Sequence, residues 1–291
     1  MVWVILLAGG SGVRLARESV RRFGYAKPKQ YSDFGGGTLL DLAIARARRQ
    51  TQDRRIIVTT TRQHRGEALE ILRRYPEVVH IEQPERRDTT SGLLWPLLQV
   101  RSWDPAALVV VLPTDHAVTD EDVFAASLRE AIELVRANGD EFALLAAEPS
   151  GFDEDYGWVV PADHGRWPRV ATFREKPPPD ELTRLREAGA LINTFVFAAR
   201  AETLEQTFAR WVPDCHDALR AALGDERKVE QAFEQLAHSS FSRAVLEHIP
   251  AQLRIVPLPR SAGWSDIGTP ERLARAPWVT AAAPSQCAIR S

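Results

Sequence analysis

Three glycines at positions 9, 10 and 12 follow directly on an apolar run, and Arg14, Lys27 and Lys29 come soon after them. The stretch reads LLAGGSGVRL over residues 6–15 and KPKQ over 27–30. Without Cβ atoms, such a turn admits positive φ and lets backbone N–H groups face an anion, while the nearby cations neutralise it. The chemistry implied is the holding of phosphate groups. Two familiar phosphate loops are excluded by spacing. No Lys-Ser or Lys-Thr follows, as GxxxxGK[ST] requires, and Gly10-Ser11-Gly12 runs on into Val13, Arg14 and Leu15 instead of completing GxGxxG. A ligand-free strand-to-helix turn is the alternative for the glycines, and a solvated loop lysine is the alternative for Lys29. Asp115 stands just past the apolar run LVVVLP (108–113), where an open α/β sheet gathers ligands. A helix cap is its alternative.

The elements that must position these groups are legible as an alternation. Strands are expected at VWVILLA (2–8), RIIVTT (55–60), VVHIE (78–82), LVVVLP (108–113) and FALLAA (142–147). Their continuous apolar character suits parallel strands covered on both faces. Between them, residues 39–49, 66–75 and 123–135 repeat apolar side chains at helical spacing, with Thr38 and the segment 119–122 placed to cap the first and third. The fold expected is α/β, a doubly wound, mostly parallel sheet of Rossmann-like type. From about residue 150 the pattern becomes mixed α+β. Strands are expected at 155–161 and 169–177, with a further apolar stretch at 192–200 and a late strand at 253–259. Helices fall near 179–189, 201–210, 214–223 and 228–238. One unit over 1–275 is expected, with halves at about 1–150 and 151–275 and a loose tail over 276–291.

The 291 residues carry a formal net charge of −2, which offers no general field to nucleic acid or to an anionic membrane, and neither is expected as a partner. Cys215 and Cys287 are far apart and suit neither a disulfide framework nor a zinc site. The run VWVILLA is too short to span a bilayer, so a cytoplasmic location is expected. The sequence leaves a homodimer open.

LAGGSGVRL followed by PKQ resembles the signature of the sugar-1-phosphate nucleotidyltransferases, most of all the mannose-1-phosphate guanylyltransferases. Further similar segments occur in the expected order: ERRDTT (85–90), LPTDH (112–116), YGWVVP (156–161), FREKP (173–177), INTFVF (192–197), AVLEH (244–248) and GWSDIG (263–268). The resemblance covers roughly residues 2–275. It implies attack by a sugar-1-phosphate oxygen on the α-phosphorus of a nucleoside triphosphate, GTP and mannose-1-phosphate being the first guess, with release of pyrophosphate. Such a transfer needs alignment and charge neutralisation more than a covalent nucleophile. The implied catalytic groups are Arg14, Lys29 and Asp115. The implied nucleotide site adds Leu7, Ala8, Gly9, Gly10 and Gly12 on the first loop. Arg87, Asp88 and Thr89 complete it on a second segment. Gly157, Glu175, Lys176 and Asn193 are implied for the sugar phosphate, with Glu175 accepting from hydroxyls and Lys176 meeting the phosphate. Asp115 and Asp266 would hold Mg²⁺, which takes one or two carboxylates with phosphate oxygens and water. His116 reads as structural.

The chain departs from the guanylyltransferase pattern in places. Asp88 stands where Asn is usual, Phe195 where a Gly is usual, and Ser242 where an Asp is usual. Asp88 either reads the base or caps the helix that TTSGLLWPLL begins. Three rival readings remain beside the main one. They are a nucleotidyltransferase for a non-sugar phosphate, a glycosyltransferase with its metal aspartate, and a nucleotide-sugar sensor without turnover.

Overall fold

Eleven strands carry the expected apolar runs and two short additions, in a computed structural model that describes residues 1–10, 12, 15, 20–21, 27–34, 36–149 and 154–276. The first six are β1 (Val2–Leu7), β2 (Ile56–Thr61), β3 (Val79–Gln83), β4 (Leu108–Pro113), β5 (His116–Ala117) and β6 (Phe142–Ala147). The others are β7 (Gly157–Pro161), β8 (Val170–Glu175), β9 (Leu191–Arg200), β10 (Leu253–Leu258) and β11 (Ser265–Asp266). Nine of them form one sheet whose main path is β10-β6-β9-β4-β1-β2-β3, with β7 pairing β9 and β8. β1 is parallel to β2 and β4, β2 to β3, and β10 to β6. β9 runs antiparallel to β4, β6 and β7.

Side-chain alternation on buried strands explains why these runs are apolar throughout. Trp3 and Ile5 of β1 and Val109 and Val111 of β4 belong to one core, with Leu93, Leu94, Leu97 and Leu98 of the helix Asp88–Trp103. Val4, Leu6, Val110 and Leu112 belong to the other, with Leu40 and Ile44 of the helix Leu39–Arg48 and Leu128 and Ile132 of Glu121–Ala137. Helices therefore cover both faces, as the continuous apolar pattern requires.

The antiparallel insertion of β9 matters for the site. β1, β2 and β4 end at one edge of the sheet, and β9 begins there, so residues of the second half of the chain join the carboxyl edge of the first. The two sequence halves thus share one sheet. The helices Ala201–Trp211, Pro213–Ala221 and Glu226–Gln235 add to the first core through Leu204, Phe208, Leu219 and Phe233.

Capping follows the sequence closely. Thr38 and Asp41 form a reciprocal capping box at the start of Leu39–Arg48, the Thr38 hydroxyl accepting from the Asp41 N–H at 3.2 Å and Asp41 Oδ2 accepting from the Thr38 N–H at 2.9 Å. Within the segment 119–122 it is Asp120 whose carboxylate accepts from the N–H groups of Asp122 and Val123, both at 3.0 Å. Thr38→Ala removes one half of the box. It is expected to lower stability by about 0.5–2 kcal/mol, read as a lower denaturant midpoint at unchanged m-value.

Candidate active site

The glycine loop is held by the segment that follows it. Ala8 donates its N–H to the Thr59 carbonyl at 2.8 Å, and its own carbonyl accepts from Gln30 Nε2 at 2.8 Å and the Tyr31 hydroxyl at 2.9 Å. Gln30 Nε2 also donates to the Gly10 carbonyl at 2.6 Å. Gly12 adopts φ +63°, and a Cβ there would lie 2.9 Å from the Lys29 backbone nitrogen. Both requirements exclude other residues at position 12, because the loop and the Lys29 segment pass in contact. Burial raises the Tyr31 phenol, which stays a donor to the loop.

Lys29 is thereby delivered to Asp115. Its Nζ lies 2.6 Å from Asp115 Oδ2 and donates to the Ile267 carbonyl at 2.9 Å, with the lysine side chain 13% exposed and the aspartate 31%. Burial works to raise the Asp115 carboxyl, but the charge of Lys29, that of His116 and the hydrogen bonds outweigh it, and the carboxyl lies below its ordinary value. His116 is buried, packs edge-on to Trp264 at 5.2 Å and is pushed down to about 4 by burial, so its imidazole is neutral at pH 7.

A two-stranded antiparallel ladder brings in the second carboxylate. β11 pairs with β5 so that Asp266 faces His116, and the Ile267 N–H donates to the Asp115 carbonyl at 2.7 Å. The Asp266 carboxylate accepts from Tyr156 and, at 2.7 Å, from Arg272, whose guanidinium lies 4.6 Å from the Tyr156 ring centroid. Both aspartates line one cleft. Among the described residues no group of three or more His, Cys, Asp or Glu forms an all-protein metal cage. Two carboxylates at the mouth of a cleft are the donor set Mg²⁺ takes when phosphates supply other oxygens.

Strand register alone assembles a second group on the cleft wall. Gly157 pairs with Glu175 across β7–β8 and with Asn193 across β7–β9. A Cβ on Gly157 would meet Glu175 Oε2 at 2.6 Å and Asn193 Cβ at 3.4 Å, so the two side chains close over a bare backbone. Burial raises the Glu175 carboxyl above its ordinary value; Lys176, a hydrogen bond with Ser242 and Arg243 oppose this only in part. The Glu175 N–H donates to Glu247 Oε1 at 2.7 Å.

Of the residues singled out in the sequence, Leu7, Gly9, Gly10, Lys29, Asp88, Thr89, Asp115, Gly157, Glu175, Asn193 and Asp266 line this single cleft. Ala8 and Gly12 support the loop from behind. Lys176 is exposed and off the cleft wall, with its backbone N–H bonded to the Tyr156 carbonyl at 2.9 Å. Arg87 is likewise off the wall. Its guanidinium donates to the Phe233 and Glu234 carbonyls at 2.6 and 3.0 Å and pairs with Glu85, and the neighbouring Arg86 lines the cleft instead. Arg14 lies outside the described residues. Asp88 is the first residue of its helix, at φ +69°, and its Oδ1 accepts from the Thr89 N–H at 2.9 Å. Gln30, Tyr31, Tyr156, Gln83 and Arg272 escaped the sequence reading. Gln30 and Tyr31 carried a signal, standing directly after Lys29. Thr59 also lines the cleft and buries a hydroxyl oxygen with no protein partner, a position that suits a ligand's polar group.

Among the described residues, the non-glycine residues with positive φ are Asp88, Lys176 and Phe195. Asp88 and Phe195 line the cleft, and Lys176 directly follows Glu175. Each costs about 1–2 kcal/mol relative to ordinary backbone, least for Asp, and strain of this kind gathers at functional sites.

A mostly parallel sheet with a glycine loop, a lysine–aspartate pair and a second carboxylate at its carboxyl edge defines a nucleotide-handling α/β protein, and the chain belongs to the nucleotidyl transferase family, whose model matches residues 3–280. It is 28% identical to mannose-1-phosphate guanylyltransferase of Escherichia coli over 287 residues, covering 92% of this chain and 58% of that protein. It is also 28% identical to the alginate biosynthesis protein AlgA of Pseudomonas putida, covering 92% of this chain and 56% of that protein. The chain thus spans a little over half the length of the curated relatives it matches. The crystal structure of mannose-1-phosphate geranyltransferase from Thermus thermophilus superposes with a TM-score of 0.77 at 25% identity, covering 92% of this chain and 76% of that one.

A carboxyl whose folded pKa lies above its unfolded value binds more protons when folded, so stability falls as pH rises through that window. Glu175→Gln escapes this penalty. It is expected to melt above the wild type at pH 7, with the difference closing toward pH 4. A wild type that melts higher at pH 7 would contradict the buried carboxylate.

Proposed function

We propose that the protein transfers a nucleotidyl group from a nucleoside triphosphate, with GTP as the first choice, to a sugar-1-phosphate, with mannose-1-phosphate as the first choice. The products are a nucleoside diphosphate sugar and pyrophosphate. The observation that carries this reading is the cleft itself, whose walls bring together the glycine loop, Lys29, both aspartates and the Gly157–Glu175–Asn193 group. The base and sugar rest on the sequence resemblance and on the names of the relatives, and among the described residues no helix is long and apolar enough to cross a membrane.

A sugar phosphate oxygen forms the new bond to the α-phosphorus as the bond to the bridging oxygen of pyrophosphate breaks. The attacking oxygen is already ionised near neutral pH, so no general base is required, in keeping with a buried, neutral His116. Lys29 neutralises charge that grows on the α-phosphate, and Arg14 is assigned the same task from the sequence. Glu175 and Asn193 orient the sugar hydroxyls. Mg²⁺ bound by Asp115 and Asp266 would supply neutralisation of the phosphates and alignment for in-line attack. The bond of Lys29 to the Ile267 carbonyl keeps the ammonium at the cleft wall independently of Asp115.

The decisive experiment is a pyrophosphate-release screen across four nucleoside triphosphates and a set of sugar-1-phosphates with Mg²⁺. Release confined to reactions containing a sugar-1-phosphate supports the reading, and release with none of them defeats it. With the best pair, Lys29→Ala is expected to lower kcat on the order of 10²-fold with a smaller change in KM, and Asp115→Asn or Asp266→Asn to remove most turnover. A change in KM alone would make Lys29 a binding group only.

Asp88 bears on the base. Guanine offers two adjacent donors, which a carboxylate accepts together. If Asp88 reads guanine, Asp88→Asn loses activity selectively with GTP, by roughly 1–3 kcal/mol in kcat/KM. Unchanged nucleotide preference would confine Asp88 to its bond with the Thr89 N–H.

A further inference from the structure

Phe195 occupies a bulge in β9 and lines the cleft beside Asn193. The register with β6 runs from Leu145 opposite Val196 to Ala146 opposite Asn193, so Thr194 and Phe195 are looped out of the ladder. The looped backbone is pinned on both sides. The Thr194 hydroxyl donates to the Leu145 carbonyl at 2.7 Å and accepts from the Val196 N–H at 3.2 Å. Asn193 Oδ1 accepts from the Phe195 N–H at 3.1 Å. Phe195 is thereby held at φ +60°, a conformation that a bulky side chain adopts rarely and at a cost. An outlier so firmly maintained, two residues from Asn193 and on the same cleft wall, invites a functional explanation.

The ring is an anchored wall. It packs edge-on to Phe197 and Phe241, with centroids at 6.2 and 6.1 Å, and those two rings stack on each other at 5.6 Å. The residue after Phe241 is the buried Ser242, which hydrogen-bonds the Glu175 carboxyl, so one short segment sets both the aromatic wall and the carboxylate beside it. This part of the cleft wall is therefore divided. Glu175 and Asn193 serve hydroxyls, while Phe195 offers neither a donor nor an acceptor. A sugar hydroxyl pressed against this ring loses its water without replacement, whereas a C–H group loses nothing.

We propose that Phe195 sets which sugar the cleft accepts, and that it selects a deoxy sugar-1-phosphate whose missing hydroxyl would have faced the ring. The inference rests on the sugar-1-phosphate reading above.

The test compares kcat/KM for mannose-1-phosphate, glucose-1-phosphate and their monodeoxy forms, in the wild type, Phe195→Gly and Phe195→Asn. Both replacements suit a positive φ, and melting curves report how well each tolerates loss of the ring. The wild type is expected to use one monodeoxy form at least about 10-fold better than its parent. Each variant that remains folded is expected to lower that ratio about 10-fold, through gain on the parent as well as loss on the deoxy form. A wild type that prefers the parent sugar over every deoxy form overturns the proposal, as does a ratio unchanged in the folded variants. The wild-type ratio decides alone if neither variant folds. Absence of transfer to every sugar in the panel, with every nucleotide, is instead a failure of the sugar-1-phosphate reading, and the proposal falls with it.

Discussion

The ammonium of Lys29, held between the Asp115 carboxylate and the Ile267 carbonyl, ties together three distant parts of the chain. The lysine arrives on the segment that braces the glycine loop, the carboxylate at the end of β4, and the carbonyl just after β11. Its side chain is almost wholly buried, so its charge needs a partner wherever it stands. Asp115 meets that need. The same arrangement explains the position of Gly12, where any side chain would push the Lys29 backbone away.

The sheet extends this local pairing into a cleft lined by both halves of the chain. Parallel strands β1, β2 and β4 bring their carboxyl ends, with the glycine loop and Asp115, to one edge. The reversed strand β9 starts at that edge and carries Asn193, and the register of β7 with β8 and β9 stacks Gly157, Glu175 and Asn193 without any loop to arrange them. The price of this arrangement is backbone strain at Phe195 and a raised Glu175 carboxyl. Both are destabilising features placed where a ligand would meet them, a pattern expected when stability yields to function.

Much of this was legible from the residues. Continuous apolar runs marked β1, β2, β4 and β6 because burial on both faces leaves no polar face to read. Thr38 showed its cap because the box depends on neighbours in sequence. The ladder of β5 with β11, which sets Asp266 opposite His116, was invisible, since two-residue strands carry no periodicity, and the joining of Asp266 with Asp115 came from resemblance alone. Arg87 and Arg86 show a further limit. Adjacent arginines look alike in sequence, and the choice between a helix carbonyl and the cleft depends on tertiary packing. Lys176 shows the same limit, since it stands just past the end of β8 in a left-handed turn at φ +51° that nothing in a lysine announces. The positive φ of Phe195 was likewise unreadable, because nothing in a phenylalanine announces a left-handed backbone.

The proposed reaction brings a sugar phosphate oxygen onto the α-phosphorus of a nucleotide. It is tested most directly by following the label from α-³²P-GTP incubated with Mg²⁺ and a sugar-1-phosphate accepted in the screen. The account predicts that label passes into a phosphatase-resistant nucleotide sugar, one for each unlabelled pyrophosphate released, and that added pyrophosphate returns it to GTP. Label that remains in GTP, or that appears as GDP or free GMP, would contradict it.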